Sequence, residues 1–268
     1  MKNFREKNIL ITGGAGGLGK IIARKMLEGG GRVIIWDVDA KKISETIEEF
    51  SHLGDIFGYR IDVTNVNEVK SVADKVKSEV GVVDVLINNA GIVVGKLFKD
   101  HSVADIQNVM NVNANGPMYV TLEFLGDMLS QNSGHICNIA SSAGIISNPK
   151  MSVYAASKWA VVGWSDSLRI EIAQMKSRVK VTTILPYYIN TGMFDGVESL
   201  IPILDPERVG AIVVRAIQKD VKMRSISRSL YLFARLGQAL LPVSVFDYVA
   251  GELLGIYKTM DNFVGRKS

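Results

Sequence analysis

The chain has 268 residues, 47% of them hydrophobic, which is enough for a sizeable core in one α/β domain or two small ones. The net charge of +4 comes from scattered basic residues, and the lack of a basic stripe interleaved with aromatics argues against nucleic-acid binding. The lone cysteine, Cys137, excludes an internal disulfide and is typical of a reducing compartment such as the cytoplasm. Since no linker, repeat or low-complexity run interrupts the chain, a single domain over residues 1–268 is predicted.

The first predicted unit is a strand, a glycine-rich turn and a helix. Asn8–Thr12 is apolar, Gly13–Gly19 follows at once, and Lys20–Leu27 has apolar residues at helical spacing. Glycines let a backbone approach a pyrophosphate, and a helix N-terminus presents N–H groups to it. The alternative is a plain flexible turn, but the strand–turn–helix context favours a dinucleotide site.

Asp37 ends the second predicted strand, Arg32–Trp36, 18 positions after Gly19. This is close to the spacing of a ribose-binding carboxylate, which would accept hydrogen bonds from both ribose hydroxyls and repel a 2′-phosphate. NAD is therefore favoured over NADP, although Lys41 and Lys42 lie near enough in sequence to complicate the preference. A helix is predicted next, at 39–50.

Further strands and helices alternate, which predicts a parallel, doubly wound sheet with ligands beyond its carboxyl ends. The strand Ile56–Ile61 ends at Asp62-Val63, where the carboxylate would either receive an adenine amino group or cap the next helix. The strand Val82–Ile87 ends in Asn88–Gly91, whose small residues would let a cofactor lie against the backbone. The helix between these two strands is predicted at 65–80.

A long helix is predicted over Val103–Leu129, interrupted at Gly116-Pro117 because proline removes a helical hydrogen bond. Asn113 lies just before that kink, where its side chain and freed carbonyls would hold a water molecule. Ser141 follows the next strand and lies 13 positions before Tyr154. The remaining predicted elements are strands at 134–139 and 179–185 and a helix at 206–219.

Tyr154 and Lys158 lie four residues apart in a segment with helical spacing that is predicted to continue to Met175. Residues i and i+4 are neighbours on a helix, and an ammonium beside a phenol lowers the phenol pKa from about 10. A tyrosine tuned in this way can exchange a proton with an alcohol or a carbonyl. The alternative is a surface lysine beside an ordinary core tyrosine.

These motifs together resemble the short-chain dehydrogenase/reductase family over residues 7–193. The resemblance rests on Thr12-Gly13-x-x-x-Gly17-x-Gly19, Asn88–Gly91, Asn113, Ser141 and Tyr154-x-x-x-Lys158. The tail, residues 194–268, is interpreted as a substrate-side and C-terminal extension of the Rossmann domain. Its segments Leu204–Glu207 and Met260–Arg266 resemble the retinol dehydrogenase and 17β-hydroxysteroid dehydrogenase type 11/13 branch.

The resemblance implies a role for each motif residue. Tyr154 would be the general acid/base, Lys158 would lower its pKa and hold the nicotinamide ribose, and Ser141 would bind the substrate oxygen. Asn113 would hold a water linking Lys158 to solvent, and Thr191 would contact the nicotinamide carboxamide. Cofactor contacts are expected from Gly13, Gly17, Leu18, Gly19, Asp37, Asp62, Val63, Asn89, Ala90, Gly91, Tyr154, Lys158, Pro186, Ile189 and Thr191.

The substrate is expected to be a hydrophobic secondary alcohol or ketone of the steroid kind, or a retinoid. The family usually has Pro-Gly after the sixth strand, whereas this chain has Pro186-Tyr187, and a bulky residue there would reshape the pocket. Each apolar candidate for the pocket wall has ordinary core packing as its alternative. The candidates are Ile145, Ile146, Met151, Tyr187, Tyr188, Met193, Phe194 and Leu200–Leu204.

The apolar segment Ser229–Tyr257 has two interpretations. It would rest on a membrane or lipid droplet, or it would cover the substrate pocket or a subunit contact, and the second use is favoured. Charged residues interrupt it, so it cannot span a bilayer as one helix. Members of the branch commonly begin with an apolar anchor, whereas Met1–Lys7 is short and charged, so either an anchor was trimmed or the protein is soluble. The resemblance implies a homodimer or homotetramer.

Two other functions compete with an oxidoreductase. A dinucleotide-binding sensor or scaffold would keep the fold without turnover, although it would tolerate loss of Tyr154 or Lys158 and both are present. Ala140-x-Ser142-x-Gly144 resembles a hydrolase nucleophile elbow, but all three histidines precede the serine, against the usual chain order. No cysteine, histidine and carboxylate spacing indicates a metal site.

Overall fold

The computed structural model describes residues 3–265 of the chain; Met1, Lys2 and the last tail-motif residue, Arg266, lie outside them. Its centre is a seven-stranded sheet with the order β3-β2-β1-β4-β5-β6-β7, and every strand pair is parallel. This confirms the predicted doubly wound Rossmann architecture. The strands are β1 (Asn8–Thr12), β2 (Arg32–Asp37), β3 (Ile56–Arg60), β4 (Val85–Asn88), β5 (His135–Ile139), β6 (Lys180–Leu185) and β7 (Met223–Ser225).

Helices cover both faces of the sheet. Alternate residues of a strand point to opposite faces, so Ile9 and Ile11 of β1 pack with α1, α2 and α7, while Leu10 packs with α3, α5 and α6. The helices are α1 (Gly17–Glu28), α2 (Ala40–Phe50), α3 (Val66–Glu79), α4 (Val103–Met110), α5 (Gly116–Ser130), α6 (Ser152–Gln174), α7 (Pro206–Gln218), α8 (Arg228–Leu240) and α9 (Val243–Tyr248).

The strand order reverses between β1 and β4, because β2 and β3 continue to one side of β1 and β5, β6 and β7 to the other side of β4. Loops that leave the two strands diverge at such a point and open a crevice at the carboxyl ends. We call this side of the sheet the carboxyl edge. The predicted motifs that end β1, β2, β4, β5 and β6 all lie there.

The predicted long helix at 103–129 is three pieces. A π-helical turn, Asn111–Asn115, separates α4 from α5. The backbone stays in the right-handed helical region through Asn111, Asn115 and Gly116, and the Gly116 N–H donates to the Asn111 carbonyl five residues back. The irregularity therefore lies inside one continuous helix, directly before Pro117, whose missing N–H removes a helical hydrogen bond. The predicted interruption of a long helix at Gly116-Pro117 is confirmed, and it takes the form of a π-helical turn.

The C-terminal extension covers the substrate side of the carboxyl edge. Leu230 and Ala234 of α8 are buried in one apolar cluster with Tyr154 and Tyr188, and Met260 belongs to the same cluster. The inner side of Ser229–Tyr257 therefore covers the pocket, which is the use that the sequence favours for this segment. Within residues 3–265 no helix combines the length and the apolar character that crossing a bilayer requires.

Candidate active site

A cavity of about 450 Å³ runs along the carboxyl edge and collects most of the predicted site. It extends from the glycine-rich turn and Asp37 to Tyr154 and the aromatic residues after β6. Of the predicted catalytic and cofactor-binding residues, only Gly19 and Asn113 do not line it. Those that line it are Gly13, Gly17, Leu18, Asp37, Asp62, Val63, Asn89, Ala90, Gly91, Ser141, Tyr154, Lys158, Pro186, Ile189 and Thr191.

The glycine-rich turn is shaped for close approach. Gly13 and Gly17 have φ of +63° and +50°, which side chains rarely allow, and a Cβ on Gly13 would lie 3.0 Å from Ala90 Cα. Among residues 3–265 no side chain caps the N-terminus of α1, so its first-turn N–H groups point toward the cavity end without a side-chain acceptor.

Gly19 is required for packing at the glycine-rich turn. A Cβ at this position would collide with the Gly13 carbonyl oxygen and would lie 2.6 Å from Asn89 Nδ2. Glycine is needed here because α1 packs directly against the turn. Gly19 does not line the cavity, and its expected contact with a cofactor stays a prediction.

Hydrogen bonds join the β1 and β4 turns. Thr12 Oγ1 accepts hydrogen bonds from the backbone N–H groups of Asn89 and Ala90 at 3.0 and 3.1 Å. In the other direction, the Asn89 side chain donates hydrogen bonds to the Thr12 and Gly13 carbonyls at 3.0 and 3.1 Å. This reciprocal set holds the two halves of the crevice at a fixed separation.

Asp37 is held at the end of β2 by backbone donors. Its carboxylate accepts from Ala15 N at 3.1 Å and from Asp39 N at 3.3 Å. The two nearby lysines have acidic partners, since Lys42 Nζ lies 3.0 Å from Asp39 and Lys41 Nζ lies 3.7 Å from Glu45.

Asp62 lines the cavity but does not cap the following helix. Its Oδ1 accepts from the backbone N–H and the hydroxyl of Thr64 at 2.9 and 2.8 Å. Asn65 is the N-cap of α3 and accepts from Glu68 N at 3.3 Å. The helix-cap alternative for Asp62 is therefore wrong.

Asn113 is buried in the π-helical turn, and its side chain hydrogen-bonds to the loop after β4 and to α6. Its Oδ1 accepts from Ile92 N at 2.8 Å, and its Nδ2 donates to Ile92 O at 2.9 Å and to Ser157 Oγ at 3.1 Å. The side-chain amide is therefore occupied by Ile92 and Ser157, and the water-holding role of Asn113 stays a prediction.

Tyr154, Ser141 and Lys158 converge at the middle of the cavity. Tyr154 and Lys158 are each only 5% exposed, and Lys158 Nζ lies 5.6 Å from the centre of the tyrosine ring. The ammonium donates to the Ile139 carbonyl at 3.1 Å, while the Ser141 hydroxyl is hydrogen-bonded to the phenol. A 23-residue helix, α6, fixes the tyrosine and the lysine one turn apart.

Burial, more than the lysine, sets the acidity of both groups. It raises the pKa of Tyr154 above the usual value near 10, and the Ser141 hydrogen bond opposes that rise only in part. It also lowers the pKa of Lys158 to about 8. The expected net fall of the Tyr154 pKa below about 10 is thus wrong for this geometry, because removing the phenol from water favours its neutral form.

The substrate side of the cavity is aromatic. Phe194 packs edge-on against Tyr154 at 5.8 Å and against Tyr188 at 5.1 Å, and Tyr187 packs on Tyr188 at 4.6 Å. Of the predicted wall residues, Ile145 is fully buried in the core and does not line the cavity. No residue of the predicted run Leu200–Leu204 lines it either, and Leu200 is 80% exposed. Those that line it are Ile146, Met151, Tyr187, Tyr188, Met193 and Phe194.

Hydrogen bonds that the sequence did not indicate hold the Tyr188 ring in this wall. The Tyr188 hydroxyl lies 2.9 Å from Thr259 Oγ1, and Asn148 Nδ2 donates to Tyr188 and Thr259 at 3.0 and 2.7 Å. The contact joins residues 111 positions apart, so no local pattern could have indicated it. Asn148 and Ile256 also line the cavity.

Comparison with known proteins agrees with the class that this fold and this residue set define. The family model of the short chain dehydrogenases matches residues 7–200, and the chain belongs to that family. The chain is 35% identical to mouse epidermal retinol dehydrogenase 2 over 273 aligned residues, which cover 99% of this chain and 88% of the relative. It is 33% identical to estradiol 17-beta-dehydrogenase 11 of Macaca fascicularis, with 90% and 81% covered.

A solved structure supports the same assignment. A short-chain dehydrogenase/reductase from Burkholderia phymatum in complex with NAD superposes with a TM-score of 0.83 at 26% identity. The match covers 89% of this chain and 95% of that one. The expected family and its resemblance to retinol and hydroxysteroid dehydrogenases are confirmed by these relatives, and the chain is an oxidoreductase of this family.

Proposed function

We propose that the protein transfers a hydride between NAD(H) and a hydrophobic alcohol or ketone of steroid or retinoid type, with Tyr154 as general acid/base. The observation that carries the proposal is the single cavity along the carboxyl edge. It joins a glycine-rich turn, a buried tyrosine with a serine and a lysine, and an aromatic wall. The names of the relatives, retinol and estradiol dehydrogenases, support the substrate class.

The residues at one end of the cavity fit a dinucleotide. The positive φ of Gly13 and Gly17 and the uncapped start of α1 suit a pyrophosphate, and Asp37 suits ribose hydroxyls. Asp62 and Val63 would border the adenine, and Asn89–Gly91, Ile189 and Thr191 the remainder. When bound, the nicotinamide accepts or donates the hydride.

NAD is the preferred cofactor in this proposal. The Asp37 carboxylate faces the cavity and would repel a 2′-phosphate, and the two lysines that could attract one are engaged with Asp39 and Glu45. A phosphate at this position would have to compete with those carboxylates for each lysine.

The proton moves at the hydroxyl of Tyr154. In oxidation the phenolate oxygen takes the proton of the substrate alcohol, and in reduction the phenol returns it to the carbonyl oxygen. Ser141 donates a hydrogen bond to the substrate oxygen as negative charge develops there. Because burial opposes the phenolate, the Lys158 ammonium beside the ring is needed to stabilise it during the transfer.

The aromatic wall selects apolar substrates. Tyr187 occupies the position where the family usually has glycine, and its hydroxyl is turned away to bond with Ser199 Oγ at 2.8 Å. Tyr188 is similarly satisfied by Asn148 and Thr259. Both rings therefore contribute their apolar surface to the wall, since their polar ends already have partners.

A paired substrate panel tests the proposal. NADH absorbance is followed after NAD is added with long apolar secondary alcohols, retinol among them, or with small polar alcohols and sugars. Turnover of the apolar set alone is expected. Turnover confined to the polar set would contradict the substrate class, and tight NAD binding without any turnover would favour a non-catalytic sensor or scaffold.

We further propose a homodimer or homotetramer in the cytoplasm. The support is apolar side chains left exposed on α5 and α6, where Leu122, Trp159 and Ile170 are 74, 41 and 49% exposed. Light scattering on the purified protein measures the mass in solution, and a mass of one chain at micromolar concentration would contradict the proposal.

A further inference from the structure

A second cavity, of about 390 Å³, lies between the edge strand β7 and the start of α8. Two arginines, a serine hydroxyl and a tyrosine ring face it, and none of the described carboxylates lines it. It is separate from the candidate active site, with which it shares no lining residue. The lining residues are Met223, Arg224, Ser225, Arg228, Tyr231 and Leu232.

The two arginines of this cavity have no side-chain partner in the part of the chain that the structure describes. Within residues 3–265, neither Arg224 nor Arg228 makes a side-chain hydrogen bond or an ion pair, whereas Arg24 and Arg32 are each paired with carboxylates. The Nε–H of Arg224 is also buried without an acceptor. Leaving a buried guanidinium donor unsatisfied is costly, so the cavity has the chemistry of an anion site.

An unusual helix face adjoins the cavity. Leu232, which lines it, begins a stripe of leucines at helical spacing with Leu236 and Leu240, and these are 55, 55 and 77% exposed. The opposite side of α8 is already buried through Leu230 and Ala234 in the substrate-side cluster. A soluble helix normally turns polar residues outward, so this helix is apolar on both sides.

We propose that this face, Arg224 and Arg228 with the leucine stripe of α8, binds the surface of an anionic phospholipid membrane. The arginines would receive a headgroup phosphate in the cavity, and the leucines would enter the boundary of the acyl chains. The proposal does not depend on the oxidoreductase chemistry, because binding is measured without substrate.

The positive charge of this face favours an anionic lipid surface over a second copy of the chain as its partner. α8 carries Arg228 and Arg235 and no acidic residue, and Arg224 adds to the same charge. A symmetric contact would place this face against its own copy and press like charges together. An anionic bilayer offers opposite charge and an apolar interior at once.

The test is co-sedimentation of the full chain with vesicles at low salt. Phosphatidylcholine vesicles are compared with phosphatidylcholine vesicles that contain phosphatidylserine. The variants are the double change Arg224→Gln with Arg228→Gln and the single change Leu236→Gln. Arg178→Gln with Arg215→Gln, which removes the same charge from other exposed positions, is the matched control.

Binding to the anionic vesicles alone is expected for the wild type and for the control pair. Each arginine near such a surface contributes roughly a fivefold gain in affinity, so the double variant should bind about 25-fold more weakly. Leu236→Gln should also weaken binding. Thermal melting of each variant separates a loss of binding from a loss of folding.

Four results would overturn the proposal. Equal binding to neutral and anionic vesicles would remove the role of the arginines, as would unchanged binding of the double variant. Protection of the arginines from phenylglyoxal by inorganic phosphate, without vesicle binding, would assign the cavity to a free anion. Self-association that Leu236→Gln abolishes, again without vesicle binding, would assign the face to a second copy.

Discussion

Replacing Lys158 by methionine is expected to stabilise the fold at neutral pH while it removes the proposed support of the phenolate. Burial lowers the pKa of the Lys158 ammonium from 10.5 to about 8, because its charge is held away from water. At about 1.36 kcal/mol per pH unit, keeping that proton at pH 7 costs the folded state about 3 kcal/mol. Losing the hydrogen bond to Ile139 offsets the gain by about 1 kcal/mol.

The effect of pH on this variant has a definite direction. Between pH 8 and 10.5 the unfolded lysine keeps a proton that the folded lysine has released, so the wild type gains stability as the pH rises through that window. The advantage of Lys158→Met in free energy of unfolding is therefore largest below pH 8 and decreases toward pH 10.5.

Urea denaturation at a series of pH values measures this difference directly. Lys70→Met, on the exposed side of α3, serves as the control for removing a surface charge alone. An advantage of Lys158→Met that stays constant from pH 8 to 10.5, or that increases with pH, would refute the reasoning that burial of the ammonium is the cause.

Three further outcomes are expected. Gly19→Ala should lose both stability and NAD affinity, since its Cβ would collide with the Gly13 carbonyl, whereas Gly126→Ala, with open space around it, should keep both in denaturation and NAD titration. The pKa of His135 is lowered by burial from 6.5 to about 4, so in denaturation curves the wild type should lose about 3 kcal/mol of stability as the pH falls through that window, and His135→Gln should not. Asp37→Ser should raise the ratio of NADP to NAD affinity in a binding titration, because the carboxylate that repels a 2′-phosphate is gone.

The parts of the fold that repeat locally could be predicted from the sequence. The order of strands and helices follows from apolar runs and helical spacing, and six of the strands lie within a few residues of their predicted positions. The glycine-rich turn and Asp37 could be placed because both follow directly from strand ends. Parallel strands bring such ends to the same edge, so sequence position alone predicted most of the cavity lining.

The features that the sequence did not show depend on distant contacts and on burial. β7 has only three residues and is defined by its pairing with β6, so it has no period of its own. Thr259 reaches Tyr188 across 71 positions. The pKa of Tyr154 was predicted in the wrong direction because spacing shows that Lys158 is near, whereas the loss of water around both groups appears only in the packed structure.

The most direct test of the central claim is single-turnover oxidation of an apolar secondary alcohol by Tyr154→Phe with saturating NAD. Tyr188→Phe, which removes a hydroxyl from the wall and leaves the proposed acid/base in place, is the matched control. We expect Tyr154→Phe to bind NAD normally and to form NADH roughly a hundredfold or more slowly. NADH formation by Tyr154→Phe at the rate of the wild type would contradict the claim that this phenol moves the proton.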